Sequence, residues 1–235
     1  AGNTLRSGVT AMSYLAMGMQ EASRGCGWYN GFNIDTYDTA GMDTALANEI
    51  SRLAIDERLT YFREHPGYTA DFYLHKHLSQ WADGTYASRQ ATLATYGGRS
   101  AFFKEVYEGS LSGGYIEWCN AWQNVLYLGV LIFCIDSLKK RRKSKVVGHM
   151  ADQTAGQHGA DQLGADRHGA DRLGADRLYV YVGLIAVLGG FLFHIFWEAN
   201  SRYIFSYSLL LMPYCGAGVY TGICRIRDWV RSRFH

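Results

Sequence analysis

The chain has 235 residues, 48% of them hydrophobic and 19% charged, and its 23 Lys+Arg against 21 Asp+Glu leave a formal net charge of +2. That near balance by itself says little about partners, and five cysteines, an odd number, do not make a disulfide framework. The charge is also uneven along the chain, with 9 Lys+Arg and 13 Asp+Glu in residues 1–117 but 14 and 8 in residues 118–235.

Residues 1–117 are soluble in character. The run Gly25-Cys26-Gly27-Trp28-Tyr29-Asn30-Gly31-Phe32-Asn33 is rich in glycine and aromatics, and it predicts a loop able to hold a ligand. Met42 to His65 predicts an amphipathic helix, with Met42, Leu46, Ile50, Leu53, Ile55, Leu59 and Phe62 at helical spacings. Asp38 or Thr39 is its expected cap and Pro66 its stop. A second helix is expected from about Tyr68 to Trp81, with Leu74, Leu78 and Trp81 on one stripe. Phe72, Tyr73, His75, Lys76 and His77 make it aromatic and basic, which suits a helix lying in a membrane interface and equally one packed on its predecessor. Asp83-Gly84 marks a turn.

Three stretches then read as membrane spans. Trp118–Ile135 has 18 uncharged residues, although Asn120, Gln123 and Asn124 turn its first half toward other helices or the headgroup zone. Leu178–Trp197 has 20 residues with His194 as its single ionisable group, and Tyr203–Cys224 has 22 with no charge. About 20 apolar residues at 1.5 Å rise cross a hydrocarbon layer roughly 30 Å thick. The reading is therefore a mainly α, polytopic helical membrane protein, with about three transmembrane helices and an N-terminal extracytoplasmic helical region.

The basic residues orient it. Lys139 to Lys143 and Lys145 follow the first span, while Arg225, Arg227, Arg231 and Arg233 follow the third. By the positive-inside rule the linker 136–177 and the tail 225–235 are cytoplasmic, while residues 1–117 and the hinge 198–202 lie outside. The lipid bilayer is thus the first expected partner, and nucleic acid is not one. The cysteines agree: Cys134, Cys215 and Cys224 fall in spans as small apolar residues, leaving Cys26 and Cys119 as the one pair that could meet outside. The chain opens at Ala1 without Met or a signal peptide, yet residues 1–117 have to reach the outer side. It therefore reads as the C-terminal part of a longer membrane protein.

Residues 159–178 repeat five residues four times, GADQL, GADRH, GADRL and GADRL. A period of five matches neither helix nor strand, and Gly, Asp and Arg bury too little to offset the entropy of ordering. A disordered cytoplasmic linker is expected. The carboxylates at 161, 166, 171 and 176 have the wrong period and the wrong side of the membrane for a calcium repeat.

Catalytic constellations are sparse. His75 and His77 would point about 200° apart on a helix, and neither they nor His65 form the i, i+4 pair of a zinc helix. Asp35 and Asp38 are two acids three apart in a presumed loop, a common arrangement. The hinge says more. Glu198 and Arg202 stand four apart at the outer mouth of two spans, flanked by Trp197 and Tyr203. They suit an anchoring salt bridge with interfacial aromatics, and they suit a guanidinium fork gripping a lipid phosphate.

The run His194-Ile195-Phe196-Trp197-Glu198-Ala199-Asn200-Ser201-Arg202-Tyr203, followed by Pro213-Tyr214, resembles the C-terminal signature of bacterial multi-spanning glycosyltransferases of the GT-C type, which are similar to protein O-mannosyltransferases. Met12–Gln20, the Gly27–Asn33 loop, the helix ending at Pro66 and Lys76–Tyr86 extend the resemblance over most of the chain except the repeats. It implies a multi-pass cell-membrane enzyme that takes a sugar from a polyprenyl-phosphate-linked donor at the outer face. It leaves the cofactor open, with a divalent metal conceivable in the complete enzyme. In that family the acidic catalytic residue lies in a first extracytoplasmic loop near the N-terminus of the complete protein, and this chain has no such loop. No catalytic residue is carried over, and the chain alone is expected to be inactive. Glu198, Arg202 and Tyr203 match the pattern and are the expected lipid-carrier or substrate-binding residues. The alternative is a non-enzymatic membrane assembly or transport protein built on the same spans.

Overall fold

The computed structural model describes residues 8–91, 100–155 and 181–234, with side chains described outside 143–155. The chain is mainly helical, and among the described residues two helices are long and apolar enough to cross a membrane. In chain order the elements are α1 (Ala11–Gly18), a two-stranded antiparallel hairpin of β1 (Glu21–Ala22) and β2 (Gly25–Cys26), α2 (Phe32–Thr39), α3 (Thr44–Glu64), α4 (Pro66–Trp81), α5 (Ala101–Tyr107), α6 (Ser112–Ala155), α7 (Val182–Phe196) and α8 (Ser201–Phe234). They form two compact units, one of residues 1–121 with 189–206, the other of residues 122–188 with 207–235.

In the first unit α1 packs on α2 and α3, and α4 packs on α3 and β2. Asp43 caps α3, its carboxylate accepting from the amides of Ala45 (2.8 Å) and Leu46 (3.2 Å). The expected caps Asp38 and Thr39 fall instead in α2. The loop expected over 25–33 is shorter than that, because the hairpin uses Gly25–Cys26 and α2 begins at Phe32, after Gly31 at φ 88°. Pro66 both stops α3 and opens α4, where its missing N–H costs no helical hydrogen bond.

The buried stripes differ from the expected ones. On α3 the buried residues are Ala47, Ser51 and Phe62, while Met42, Leu46, Leu53 and Leu59 are exposed. On α4 they are Phe72, Lys76 and Gln80, while Leu74 and Leu78 face outward. Small residues let α1 and α3 approach closely enough for the Ser13 and Ser51 hydroxyls to share a buried 2.8 Å hydrogen bond. Met19, Phe62 and Phe72 then form the core, with Tyr68 and Tyr73 against it. The Arg58 guanidinium lies 4.7 Å from the Phe62 ring centroid, donates to Met19 O at 2.8 Å and reaches the Tyr68 hydroxyl at 2.9 Å.

In the second unit α6 and α8 touch through small residues. A Cβ added to Gly129 would lie 2.6 Å from Cys215 Sγ, and one added to Gly218 would run into the Gly129 carbonyl. Tyr214 packs edge-on to Phe133 at 5.3 Å and accepts from the Gly183 amide at 3.1 Å. Asp136 pairs with Lys140 at 2.8 Å and with Arg225. Helix α6 runs unbroken through Ala155, so the expected linker 136–177 is helical over its first part. The repeats at 159–178 lie outside the described residues. Helix α8 carries Pro213 inside it and continues past the expected span end at Cys224 to Phe234.

Candidate functional site

Between α7 and α8 the backbone leaves helical geometry over residues 197–200, and several stretches of the first unit close on this break. From α4, fully buried Lys76 donates through Nζ to Gly18 O and, at 3.0 Å, to Ile195 O. Both carbonyls sit in last helical turns, where no intrahelical N–H remains to satisfy them. One ammonium thus closes the C-termini of α1 and α7, ends where the helix dipole favours positive charge. Burial pushes the Lys76 pKa down to about 7.

The glycine loop supplies the next tie. Gly27 O accepts from the Ala199 amide at 2.7 Å, and Trp28 pairs with Ala199 as a parallel bridge. Gly27 has φ 72°, and a Cβ there would sit 2.6 Å from Lys76 Cε and 2.7 Å from Gly18 O, so the left-handed backbone and the close approach both call for glycine. Asp83 makes the third tie. Its Oδ1 accepts from the Thr85 amide (2.9 Å) and hydroxyl (2.6 Å), and its Oδ2 from the Ala87 amide (3.0 Å) and the Ser201 hydroxyl (2.6 Å). Tyr14 of α1 stacks on Trp197, centroids 5.6 Å apart and planes 9° off parallel. Met12–Gln20, Gly27–Asn33, Lys76–Tyr86 and His194–Tyr203, read separately from the sequence, therefore meet in one place.

The three expected binding residues stand in this segment in different surroundings. Glu198 is buried, and burial raises its carboxyl above the usual range. Arg202 and Tyr203 are exposed. The direct Glu198–Arg202 salt bridge entertained from the spacing is absent among the described residues. Asn200 stands between them in the chain, and its Oδ1 accepts from Arg202 N at 3.1 Å and Nε at 3.4 Å. The physical reason is the helix break: i, i+4 pairing needs continuous helix, and here residues 198–200 are not helical. Among the described residues the two terminal nitrogens of Arg202 have no hydrogen-bond partner. Tyr203 stacks on buried His194 at 5.4 Å and 12°, and His194 Nδ1 lies 3.2 Å from Glu198 O.

The arrangement is a buried carboxyl beside an exposed guanidinium whose Nε is held by an amide, at the start of a long helix. The first amides of that helix, those of Arg202 and Tyr203, are already taken by Asn200, so among the described residues the terminal nitrogens of Arg202 are the donors left to face an anion. Sequence reasoning missed Lys76, Asn200 and Asp83. The signal for Lys76 was its place on the stripe Phe72, Lys76, Gln80, where a charged residue shares a face with an aromatic one. His65, His75 and His77 each bring Nδ1 to within 3.0 Å of the carbonyl four residues earlier. Asp35 and Asp38 are exposed on α2, and all five cysteines are free thiols. No family model, curated protein or solved structure matches the chain.

Proposed function

We propose that the chain is an integral membrane protein serving sugar transfer from a polyprenyl-phosphate-linked donor at the outer membrane face, with Glu198, Arg202 and Tyr203 in the carrier-binding site. The observation that carries this reading is the Arg202 guanidinium, exposed and, among the described residues, free at its terminal nitrogens, yet held at Nε by Asn200 beside the break between two apolar helices. A planar fork held in this way suits a phosphate on a lipid, whereas a lysine in its place would offer only a point charge. The α6 and α8 stretches Ser112–Arg142 and Ser201–Phe234 support membrane residence by length and apolarity. The three-span count adds α7, whose 15 helical residues give about 22 Å at 1.5 Å rise, so Leu178–Trp197 spans with help from its flanks or a thinned bilayer. The basic clusters support a cytoplasmic side for residues 139–145 and 225–233 and an outer side for the 198–202 break.

The second reading, a non-enzymatic assembly or transport protein, draws on a separate fact. Lys76 and Asp83 are both spent on holding backbone and hydroxyl groups in place. The test is binding of polyprenyl phosphate to the purified chain in nanodiscs, followed by native mass spectrometry. Arg202→Ala should weaken binding about tenfold, equivalent to about 1.4 kcal/mol, with Arg202→Lys in between. Glu198→Gln should weaken it less, since Asn200 still holds the guanidinium. Wild-type affinity in Arg202→Ala would remove this segment from any carrier site and favour the scaffold.

A further inference from the structure

Helix α5 is a second, independent point of interest. At 100° per residue, Phe102, Val106, Phe103 and Tyr107 fill an apolar arc of about 140°, while Lys104, Glu105 and Glu108 occupy the opposite side. A soluble unit would turn such an arc inward. Here Phe102 and Phe103 are 66% and 52% exposed, and α5 contributes no buried residue.

The arc is held at a fixed level on the chain. Glu105 Oε1 accepts from the Ser110 amide at 2.7 Å and from its hydroxyl, which closes the 108–111 turn. Phe103 stacks on Tyr107 at 6.0 Å and 6°, Tyr107 meets Tyr115 edge-on at 5.3 Å, and the Tyr115 hydroxyl shares a 2.7 Å hydrogen bond with Ser88. Tyr115 lies in the first turns of α6, and exposed Trp118 follows it within one turn, where the apolar stretch begins. Tryptophan at the head of an apolar helix marks the headgroup level of a bilayer.

We infer that α5 is an interfacial helix, its Phe102–Phe103 face inserted at the headgroup–acyl boundary of the membrane that α6 crosses. This rests on the membrane reading above. The occupant is lipid because the arc is rigidly joined to the mouth of an apolar helix, at the depth where aromatic rings gain from sitting half in hydrocarbon. The charges on its polar side, one lysine and two glutamates, point to no preference for anionic lipid.

Photo-crosslinking tests it with the whole chain in vesicles of zwitterionic lipid. A benzophenone amino acid replaces Phe102 in one sample and Leu131 of α6 in another, and the adducts are identified by mass spectrometry. Both sites are exposed, so folding is spared. Lipid adducts at both positions support the inference. Lipid at 131 with none at 102, or a protein adduct at 102, overturns the interfacial helix and leaves the membrane reading standing. No lipid at either position overturns both.

Discussion

The two units hold their helices together in opposite ways. Residues 1–121 with 189–206 bury polar side chains: Ser13 against Ser51, Lys76 against two carbonyls, Asp83 against Ser201. Residues 122–188 with 207–235 touch through glycine and one charged cluster, and both units leave large apolar side chains exposed, Leu53 and Leu74 in the first, Leu128 and Leu131 in the second. In water a helix pair gains by burying leucine. In lipid that gain vanishes, because the acyl chain is as apolar as the leucine, and close backbone approach and polar pairs are what remain. The two modes of contact call for different surroundings, and each can be attacked by substitution.

The largest effect is expected at Lys76. Lys76→Met keeps the side-chain length but strips Gly18 O and Ile195 O of their donor, and each orphaned buried carbonyl costs about 1–3 kcal/mol. A loss of about 3 kcal/mol or more is expected, read by thermal unfolding or by amide exchange over α1 and α4. The pH dependence is a sharper test. The folded-state pKa of about 7 lies below the ordinary 10.5. Between these values the unfolded chain carries a proton that the folded one lacks. Stability should therefore rise as pH climbs through that window, by up to about 1.4 kcal/mol per unit, and this group should add no slope below 7. The slope should vanish in Lys76→Met; if it persists, another group carries it.

Two leucines of equal exposure separate the environments directly. Leu53 of α3 is 55% exposed and Leu131 of α6 is 54% exposed. Leu53→Asp should change stability by no more than about 0.5 kcal/mol, as surface substitutions in water do. Leu131→Asp should cost about 3 kcal/mol of apparent insertion free energy. A glycosylation-reporter insertion assay measures the second. Equal tolerance at both sites would break the membrane reading of the second unit.

Close approach comes next. Gly218→Leu drives a side chain into the Gly129 carbonyl, and overpacking of this kind costs about 1–3 kcal/mol. Gly216→Ala meets nothing within 4 Å and should be neutral, which makes it the control. Unfolding of the detergent-solubilised protein reports both.

Legibility in the sequence followed the physics of each region. The expected spans Trp118–Ile135 and Tyr203–Cys224 fall in the two described helices long and apolar enough to cross a membrane, because length and lack of charge define such helices, whereas Leu178–Trp197, read by the same rule, falls on the 15-residue α7. Helix α4 was readable from Pro66 and its period, but its inward face was not, since hydrophobicity alone ranks Leu74 and Leu78 above Lys76 and Gln80. What decides the matter is a carbonyl pair brought from sequence positions 18 and 195, information absent from any local window. Arg202 stands exposed in the segment 194–203 that the sequence singles out. The role of Asn200 was not legible, because the 198–202 spacing suggested an i, i+4 pair and only the break in the helix hands that task to the amide.

Asp136 supplies the smallest and most discriminating prediction. Its carboxylate pairs with Lys140 one turn on and with Arg225 of α8, and those two partners remain largely exposed. A pair of this exposure in water contributes at most about 1 kcal/mol, and salt screens it. Asp136→Asn keeps the shape and removes the charge, so the second unit should lose about 1 kcal/mol. The loss should shrink as salt is raised from low to physiological levels. If the cluster lay within hydrocarbon, the stranded cations would cost several times more and salt would not reach them. A small, salt-sensitive loss places Asp136 and Arg225 at the cytoplasmic boundary that the positive-inside rule assigns them. A large, salt-insensitive one would move that boundary further toward the C-terminal ends of α6 and α8.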